Sequence, residues 1–346
     1  MKFKSRIKIG NKLIGGKNDP CFIIAEAGSN HNRDFETAKK LIDEAKNAGA
    51  DAIKFQTYSA GTLYPKNKKP LFLIGEKEKP FDIIKKIELP RDWQAKLARY
   101  AENKGIIFLS TPFDKEAIDE LDKLVPAFKW ASPELIDKPL LEYAAKKGKP
   151  IILSTGFYGT KEIRESLGWV EGTGNSAVAL LHCTGLYPTK PEDVNLRAIA
   201  ELKKFKIPVG FSDHTASVVI PAVAVAIGAK IIEKHFTLDR NMNGPDHAFA
   251  LEPIELSGMV KNIRDVEKSM GSGVKKPTIE ESKKEKLIRR GIVAKRQIKK
   301  GEKFSLDNIT TKRVGSGSLP PKDIYKIFNK KAKRNILQDQ IIKEND

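Results

Sequence analysis

The residues best suited to chemistry in this chain are its five histidines, each of which lies in a short polar cluster. Most of these clusters end an apolar, β-type run, and the histidines are His31, His182, His214, His235 and His247. A neutral imidazole is the commonest metal ligand in proteins and acts as an acid or base near neutral pH. A buried, hydrogen-bonded histidine is the simpler explanation of any one position. For the group as a whole, placement at strand ends favours chemistry.

Two lysines inside apolar runs indicate an anion site. Lys54 and Lys129 lie within predicted strands, where a buried cation is costly unless an anion pairs with it. Lysines that share one edge with hydroxyl groups are typical of a phosphate and carboxylate site. The hydroxyls at the neighbouring strand ends belong to Thr111, Ser132, Ser154 and Ser212. A structural salt bridge of Lys129 with Glu233 or Glu26 is the alternative for a single lysine.

His214 and His235 end two consecutive predicted strands, so both imidazoles can reach one point. Two imidazoles that leave positions open for water and substrate form a plausible catalytic site for a divalent metal. Three carboxylates, those of Glu26, Asp213 and Asp246, are candidates for a further ligand, a general base or a partner that orients a ligand.

An alternation of strands and helices from residue 21 onward must position these side chains. Near-continuous apolar strands separated by amphipathic helices predict a parallel sheet covered by helices. Eight such units in about 250 residues predict an α/β fold of the (β/α)8 TIM-barrel type, whose active site lies at the carboxyl ends of the strands. The predicted strands are 22–27, 52–56, 106–110, 127–131, 150–154, 177–183, 209–212 and 230–235. The predicted helices are 35–48, 92–102, 115–123, 139–147, 160–167, 193–203, 218–227 and 252–270.

The segments outside this alternation predict two smaller pieces. Residues 7–14 form a predicted N-terminal hairpin with a turn at Gly10-Asn11, and with the barrel they make a first domain over residues 1–271. Residues 272–289 form a predicted linker. Residues 290–346 contain short strands and turns, which indicate a small β-rich domain of roughly 60 residues with little core of its own.

Composition limits the classes of protein to which the chain can belong. The formal net charge is +19, but the 63 basic residues are spread among 44 acidic ones, which favours a solvated lysine-rich surface over nucleic-acid binding. Cys21 and Cys183 each lie in an apolar run and indicate a reducing compartment. The longest apolar stretch, 218–229, is too short to span a membrane, and the start lacks a signal-peptide pattern. We therefore expect a cytoplasmic protein with no membrane partner.

Several motifs resemble the sialic acid synthase family over nearly the whole chain. They begin with Ile-Ile-Ala-Glu-Ala-Gly-Ser-Asn-His-Asn at 23–32 and Gly-Ala-Asp-Ala-Ile-Lys-Phe-Gln-Thr at 49–57. Val-Gly-Phe-Ser-Asp-His-Thr at 209–215 and Ile-Glu-Lys-His-Phe-Thr-Leu-Asp-Arg at 232–240 continue the match. The other matching segments are 109–114, 152–156, 180–184, 191–197, 244–247, 293–296 and 311–315. The C-terminal segment resembles the SAF, or antifreeze-like, domain of these synthases, a β-clip fold.

The resemblance implies a reaction, a metal and an assembly. Members of the family condense phosphoenolpyruvate with an N-acylated hexosamine, typically N-acetylmannosamine, to give a nine-carbon 2-keto sugar acid and phosphate. His214 and His235 would hold a divalent metal, Mn²⁺ or Mg²⁺. The antifreeze-like domain would reach the partner's active site in a domain-swapped homodimer.

The family's roles carry over to individual residues of this sequence. The groups that would hold the phosphate and carboxylate of phosphoenolpyruvate are Lys54, Thr111, Lys129, Ser132, Ser154 and Ser212. Glu26 would act as an ionised base on the water at the enol-ether carbon, and Asp246 would contact the sugar near its reacting end. Gln56 and Tyr187 would line the sugar pocket, and Arg313 of the partner subunit would reach the N-acyl group. Glu26, Asp246 and the two lysines would thus form the catalytic group.

Two departures from the family pattern bear on the identity of the sugar. Gly185 stands where the family usually carries Ser or Asn, and Trp130-Ala-Ser-Pro-Glu134 replaces the usual Ser-Gly-Glu turn. Related synthases use 2,4-diacetamido-2,4,6-trideoxyhexoses to make legionaminic or pseudaminic acid. His182 speaks mildly against the pseudaminic branch.

Other functions remain as alternatives. A 3-deoxy-heptulosonate-type synthase would need arginines for a second phosphate, and the loop from Ser59 to Lys79 has none. A Schiff-base aldolase could use Lys54 or Lys129. A non-catalytic binding protein would show an eroded site, yet Glu26, both lysines and both metal-site histidines are present.

Overall fold

The structure, a computed structural model, describes residues 2–69 and 78–346. The chain forms two compact units, Met1–Gly271 and Ser272–Asp346. The loop from Ser59 to Lys79, on which the argument about arginines rests, includes residues 70–77, which lie outside the described residues.

The predicted hairpin is present and lies against the start of the barrel. Strand β1 (Ile7–Ile9) pairs with β2 (Lys12–Ile14) in antiparallel register. Ile7, Ile9 and Ile14 are buried in one apolar cluster with residues at the beginnings of barrel strands, such as Phe22 and Ile231. The hairpin therefore covers the amino-terminal end of the barrel and leaves its other end open.

Eight parallel strands form the barrel and follow one another in chain order. They are β3 (Phe22–Gly28), β4 (Ala52–Thr57), β5 (Ile107–Pro112), β6 (Phe128–Trp130), β7 (Ile151–Ser154), β8 (Val178–Cys183), β9 (Val209–Asp213) and β10 (Ile231–His235). The sheet runs β5-β4-β3-β10-β9-β8-β7-β6, and β5 and β6, at the two ends of this order, are neighbours in space. The predicted (β/α)8 barrel is confirmed.

Most helices of the first unit cover the outside of the barrel, whereas those at 60–63 and 80–87 line a cavity beside the strand ends. The helices of this unit are α1 (Phe35–Asn47), α2 (Ala60–Leu63), α3 (Pro80–Ile87), α4 (Gln94–Lys104), α5 (Lys115–Asp122), α6 (Lys138–Ala145), α7 (Thr160–Gly172), α8 (Ala198–Leu202), α9 (Ile220–Ala226) and α10 (Pro253–Ser269). The sequence predicted one helix over 193–203, but α8 is much shorter. Asn195 has a φ of 49° and interrupts the helix.

Helix starts follow from side chains just after the strands. Asp34 and Asp114 lie immediately before α1 and α5, and their carboxylates accept hydrogen bonds from the backbone N–H groups of Thr37 and Ala117. Such caps satisfy donors that the first helical turn leaves free. Asp114 also pairs with Arg91 at 2.7 Å, so this polar strand end has a structural role.

The second unit is small and rich in strands, as predicted. Helix α11 (Ile279–Ile288) begins at the capping residue Thr278 and is followed by β11 (Arg290–Ala294) and β12 (Ile309–Arg313). The two strands pair antiparallel, with Ile292 opposite Thr311. The unit's core includes the buried side chains of Ile292, Ala294, Ile298, Phe304, Ile309, Ile327, Ala332, Ile336 and Ile342.

In the two described stretches of the chain, no helix is both long enough and apolar enough to cross a membrane.

Candidate active site

Four buried charged side chains meet inside the barrel near the carboxyl ends of its strands. Lys54 Nζ lies 2.8 Å from Glu26 Oε2 and 3.8 Å from Glu233 Oε2. Lys129 Nζ lies 3.4 Å from Glu233 Oε1. All four side chains are almost completely buried. The salt bridge of Lys129 with Glu233 that the sequence left as an alternative therefore exists, and together with the ion pairs of Lys54 it forms one connected network.

Hydroxyl groups surround this network. Lys54 Nζ donates to Thr111 Oγ1 at 3.0 Å, and Lys129 Nζ donates to Ser154 Oγ at 2.8 Å. Ser212 Oγ donates to Glu233 Oε1 at 2.8 Å. Ser132 Oγ accepts a hydrogen bond of 3.0 Å from the backbone N–H of Gly156, just after β7. The six residues predicted for the anion site thus lie at the ends of neighbouring strands.

Glu233 is a residue of this site that the sequence analysis named only as a possible salt-bridge partner of Lys129. It accepts a hydrogen bond from one serine and lies between the two lysines. The signal was present in the sequence, because side chains two apart on a strand share a face. Glu233 and His235 are two apart on β10, so an inward His235 implies an inward Glu233.

The same alternation removes Asp213 from the list of candidates. Ser212 points into the barrel, so its neighbour Asp213 points outward. There its carboxylate pairs with Lys234 Nζ at 2.6 Å and accepts from Thr215 N at 2.9 Å. Both partners of the ion pair are buried. Asp213 is therefore a structural residue between the barrel and its helices, not a group of the mouth.

Burial changes the proton affinities inside the network. Burial and the nearby Glu233 raise the pKa of Glu26 to about 7, although Lys54 opposes the rise. Burial acts in the same sense on Glu233, but both lysines and Ser212 outweigh it and lower the pKa of that carboxyl. The sequence analysis expected an ionised Glu26. The raised pKa works against that expectation, because it favours the protonated carboxyl of Glu26.

The two histidines predicted to bind a metal lie side by side. The ring centroids of His214 and His235 are 5.5 Å apart. His214 Nδ1 donates to the carbonyl oxygen of Thr184 at 2.8 Å, which leaves Nε2 as the nitrogen with a free lone pair. His235 Nδ1 is buried and has no hydrogen-bond partner among the described residues. Burial lowers the pKa of His214 to about 4 and lowers that of His235 well below its usual value, so both rings are neutral.

The other three histidines make hydrogen bonds of a structural kind, which is the explanation that the sequence left open for any single histidine. His31 Nδ1 accepts from the backbone N–H of Arg33 at 2.9 Å, and burial lowers its pKa to about 4. His182 Nε2 donates to the carbonyl oxygen of Val194 at 2.7 Å. His247 bonds to Thr237 Oγ1 at 2.6 Å and to Asn32 Oδ1 at 3.1 Å.

The predicted sugar residues divide between two places. Gln56 Nε2 donates to Glu26 Oε1 at 2.7 Å, and Asp246 accepts from Ser29 Oγ at 3.2 Å. Both line a cavity of about 310 Å³ whose other walls are Tyr58, Leu63, Tyr64, Pro80, Ile83, Ile84, Ile87, Phe113, Pro133, Glu134 and Pro245. Tyr187 instead stacks on His214, with ring centroids 3.9 Å apart.

Arg313 belongs to the second unit. It ends β12 opposite Arg290 and is exposed there. Its predicted contact with a sugar therefore stays a prediction.

A larger cavity, of about 910 Å³, lies at the opposite end of the barrel. Its walls are formed by residues that precede or begin strands, such as Asp51, Gly105 and Pro126, and by Lys12 of the hairpin. Active sites of parallel barrels lie at the carboxyl ends of the strands. The side chains described above are at that end, which makes the smaller cavity the candidate site.

A parallel barrel with buried lysines, carboxylates and paired histidines at its strand ends defines a (β/α)8-barrel protein with a charged group of side chains at those ends. Comparison with known families narrows this class: the NeuB family matches residues 41–275, and the SAF domain matches residues 289–346. The chain belongs to the NeuB family.

Characterised relatives cover nearly the full chain. The N,N′-diacetyllegionaminic acid synthase of Campylobacter jejuni is 43% identical over 330 residues, which cover 93% of this chain and 98% of that protein. The N-acetylneuraminate-9-phosphate synthase of Homo sapiens is 36% identical over 347 residues, 96% of this chain and 94% of that protein. The crystal structure of N-acetylneuraminic acid (sialic acid) synthetase from Leptospira borgpetersenii serovar Hardjo-bovis has a TM-score of 0.74 and 38% identity, and the match covers 81% of this chain and 94% of that one.

Proposed function

We propose that this protein condenses phosphoenolpyruvate with an N-acylated amino hexose and releases a nine-carbon 2-keto sugar acid and phosphate. One observation carries the proposal: two buried lysines with hydroxyl partners belong to one charged network with Glu26, and Gln56, which donates to Glu26, lines a cavity that also contains Asp246. An anion subsite next to a pocket for a neutral polar molecule fits these two substrates. Membership of the NeuB family supports the same reaction.

The lysines and hydroxyls would bind the two anionic groups of phosphoenolpyruvate. Lys54 and Lys129 lie in a dry interior, where attraction to phosphate and carboxylate is stronger than in water. The methylene carbon of phosphoenolpyruvate would attack the sugar aldehyde, and water would then add at the pyruvyl C2. Phosphate would leave with C–O cleavage while the lysines stabilise its charge. Glu26 would hold or accept the proton of that water.

The donor set fits a divalent cation such as Mn²⁺ or Mg²⁺. His235 Nδ1 is a buried nitrogen without a partner among the described residues, and His214 keeps Nε2 free. Among residues 2–69 and 78–346 no three His, Cys, Asp or Glu side chains are grouped for a metal, so water and substrate would complete the coordination. A bound cation supplies Lewis-acid polarisation of the sugar aldehyde.

The cavity favours a deoxygenated sugar over N-acetylmannosamine. Leu63, Ile83, Ile84, Ile87 and Phe113 form much of its wall. A 2,4-diacetamido-2,4,6-trideoxyhexose presents a C6 methyl and a second acetyl methyl where N-acetylmannosamine presents hydroxyls. Burying a hydroxyl without a hydrogen-bond partner costs about 1–3 kcal/mol. The apolar part of this wall supports the proposal of a product of the legionaminic or pseudaminic type rather than N-acetylneuraminate.

The test is phosphate release from phosphoenolpyruvate with Mn²⁺, comparing N-acetylmannosamine with 2,4-diacetamido-2,4,6-trideoxymannose. We expect release with both, faster with the second sugar, and loss of release when EDTA removes the metal. No release with either sugar from a folded, Mn²⁺-binding protein would overturn the synthase. A heptulosonate-type synthase would instead respond to a phosphorylated aldose, and a Schiff-base aldolase would be trapped by borohydride with pyruvate.

We also propose that the protein works as a domain-swapped homodimer in the cytoplasm. Arg313 is exposed on β12 of a separate unit, which makes it available to another chain. Both cysteines are free thiols, which supports a reducing compartment. Mixing an Arg313→Ala protein with a His235→Ala protein tests the swap. Each variant alone should be inactive, and the mixture should recover about a quarter of the wild-type rate, since random pairing leaves one intact site in half of the dimers. A mixture of exchanging dimers that stays inactive would contradict the swap.

A further inference from the structure

Three loops meet beside the anion site, and the residues where they touch have no role in the account above. Gly156 and Phe157 follow β7, and Gly185 follows β8. The backbone N–H of Gly156 donates to Ser132 Oγ after β6. A Cβ placed on Gly156 would lie 3.2 Å from the backbone nitrogen of Gly185, so the two loops are in close contact.

The ring of Phe157 occupies the space that a side chain at position 185 would need. A Cβ built on Gly185 would lie 2.5 Å from Cε2 of Phe157 and closer still to Cζ and Cε1. No real Cβ tolerates such contacts, so either the ring moves or residue 185 is glycine. Gly185, a departure from the family pattern in the sequence, thus leaves room for the ring of Phe157 in this chain.

Phe157 adopts its position against local preferences. Its φ is 71°, in the left-handed region that is unfavourable for a bulky residue, and its side chain is 65% exposed. Neither exposure to water nor the backbone conformation stabilises the residue. Strained residues of this kind concentrate at sites that contact ligands.

We propose that Phe157 is a specificity-determining residue that bounds the phosphoenolpyruvate end of the site, and that residues 157 and 185 act as one steric unit. The inference rests on the proposed function. Phe157 follows Gly156, whose backbone N–H donates to Ser132 Oγ, just after β7, the strand that ends with Ser154, the partner of Lys129. An apolar ring there excludes water from bound phosphoenolpyruvate and strengthens its attraction to the lysine. A side chain at 185 would displace the ring and open this wall.

The experiment measures phosphoenolpyruvate binding by calorimetry in the presence of Mn²⁺, without sugar. The proteins are the full-length wild type, Phe157→Ala, Phe157→Tyr, Gly185→Ala and the double variant Phe157→Ala/Gly185→Ala. Gly168→Ala is the matched control, since a Cβ there meets no atom within 4 Å. Thermal melts establish that each protein is folded.

We expect Phe157→Ala to weaken the binding of phosphoenolpyruvate about tenfold, which corresponds to the loss of one aromatic contact. Phe157→Tyr and Gly168→Ala should bind phosphoenolpyruvate as the wild type does. Gly185→Ala should also weaken binding, and the double variant should be no weaker than Phe157→Ala alone, because the clash disappears with the ring. In turnover, the KM for phosphoenolpyruvate should rise and the KM for the sugar should stay constant.

Unchanged binding by Phe157→Ala, additive losses in the double variant, or a change confined to the KM for the sugar would each overturn the inference while leaving the synthase intact. Failure of the wild type itself to bind phosphoenolpyruvate would overturn the proposed function and this inference with it. If Gly185→Ala does not fold, Phe157→Ala and Phe157→Tyr still decide the role of the ring, since residue 157 is on the surface.

Discussion

At the scale of single residues, the site is a balanced set of buried charges. Lys54 and Lys129 are matched by Glu26 and Glu233, and the closest pair is 2.8 Å apart. Removing one partner from such a set leaves an uncompensated charge in a dry interior. The same property makes the site receptive to an anionic ligand, because each ammonium group carries three donors that can turn toward a new acceptor.

Glu233→Gln should destabilise the fold strongly. The variant keeps the shape of the side chain but removes the charge that lies near both lysines. We expect a loss of about 3 kcal/mol in the free energy of unfolding, measured by urea denaturation. The control is Glu285→Gln, which removes an exposed pair with Arg289 at 3.1 Å and should cost about 0.5 kcal/mol or less. Equal losses in the free energy of unfolding of Glu233→Gln and Glu285→Gln would contradict a special contribution of the buried network to stability.

The raised pKa of Glu26 predicts a pH-dependent contribution to stability. The pKa of this carboxyl is about 7 in the folded protein, against 4.5 for an unperturbed glutamate, so the folded state binds the proton more tightly. That contribution is complete below about pH 4.5 and is lost as the pH rises through about 7. We expect the wild type to lose about 3 kcal/mol relative to Glu26→Gln between pH 5 and pH 8, measured by urea denaturation at each pH. A gain of stability between pH 5 and pH 8 would mean that Lys54 outweighs burial in setting the pKa of Glu26.

At the scale of elements, the two-residue period of the strands decides which polar side chains reach the site. On β9 and β10 the inward residues include Ser212, Glu233 and His235, and the outward residues Asp213 and Lys234 form their own buried pair. The hairpin covers the other end of the barrel with Ile7, Ile9 and Ile14. The hairpin therefore covers one end of the strands, and the candidate site lies at the other.

Gly210→Ala should disrupt the pairing of β9 with β10. A Cβ on Gly210 would overlap the carbonyl oxygen of Ile231 and lie 2.6 Å from Leu181 Cδ2. Backbone atoms of a central strand cannot move aside, so we expect a loss of about 3 kcal/mol in the free energy of unfolding. Gly168→Ala in α7 meets no atom within 4 Å and should be neutral or stabilising by up to about 1 kcal/mol. A neutral Gly210→Ala would show that the strands separate easily.

At the scale of the whole molecule, the chain is built from two units, each with its own apolar core. The first core lies between the barrel strands and their helices, and the second is made of residues from Ile292 to Ile342. Residues 271–278 join the units and are exposed throughout. Independent cores with an exposed connection are typical of separate domains.

Limited proteolysis should detect this connection. Gly271 and Gly273 have φ values of 57° and 78°, and no helix or strand protects the segment up to Thr278. Within the described parts of the chain, we expect a nonspecific protease to cut first at 271–278 and to leave a resistant fragment that contains the barrel. Mass spectrometry of the early fragments identifies the cut. Early cleavage between barrel strands instead would contradict a compact first unit.

The sequence by itself determined the order of strands and helices, the barrel, the small C-terminal domain and the residues at the strand ends. These follow from periodicity and from neighbours in the chain, which are local properties. Lys54, Lys129, His214 and His235 were found in this way, because a charged or imidazole group at the end of an apolar strand is conspicuous.

Only the tertiary structure decided how these groups pair. Glu233 lies between two lysines that are more than 100 residues away in the chain, His247 bonds to Asn32 at 3.1 Å, and Phe157 occupies the space above Gly185. The pKa of Glu26 rises to about 7 because burial and a distant carboxylate act on it together. Each of these depends on distances across the closed barrel, and a local pattern of residues contains no information about such distances.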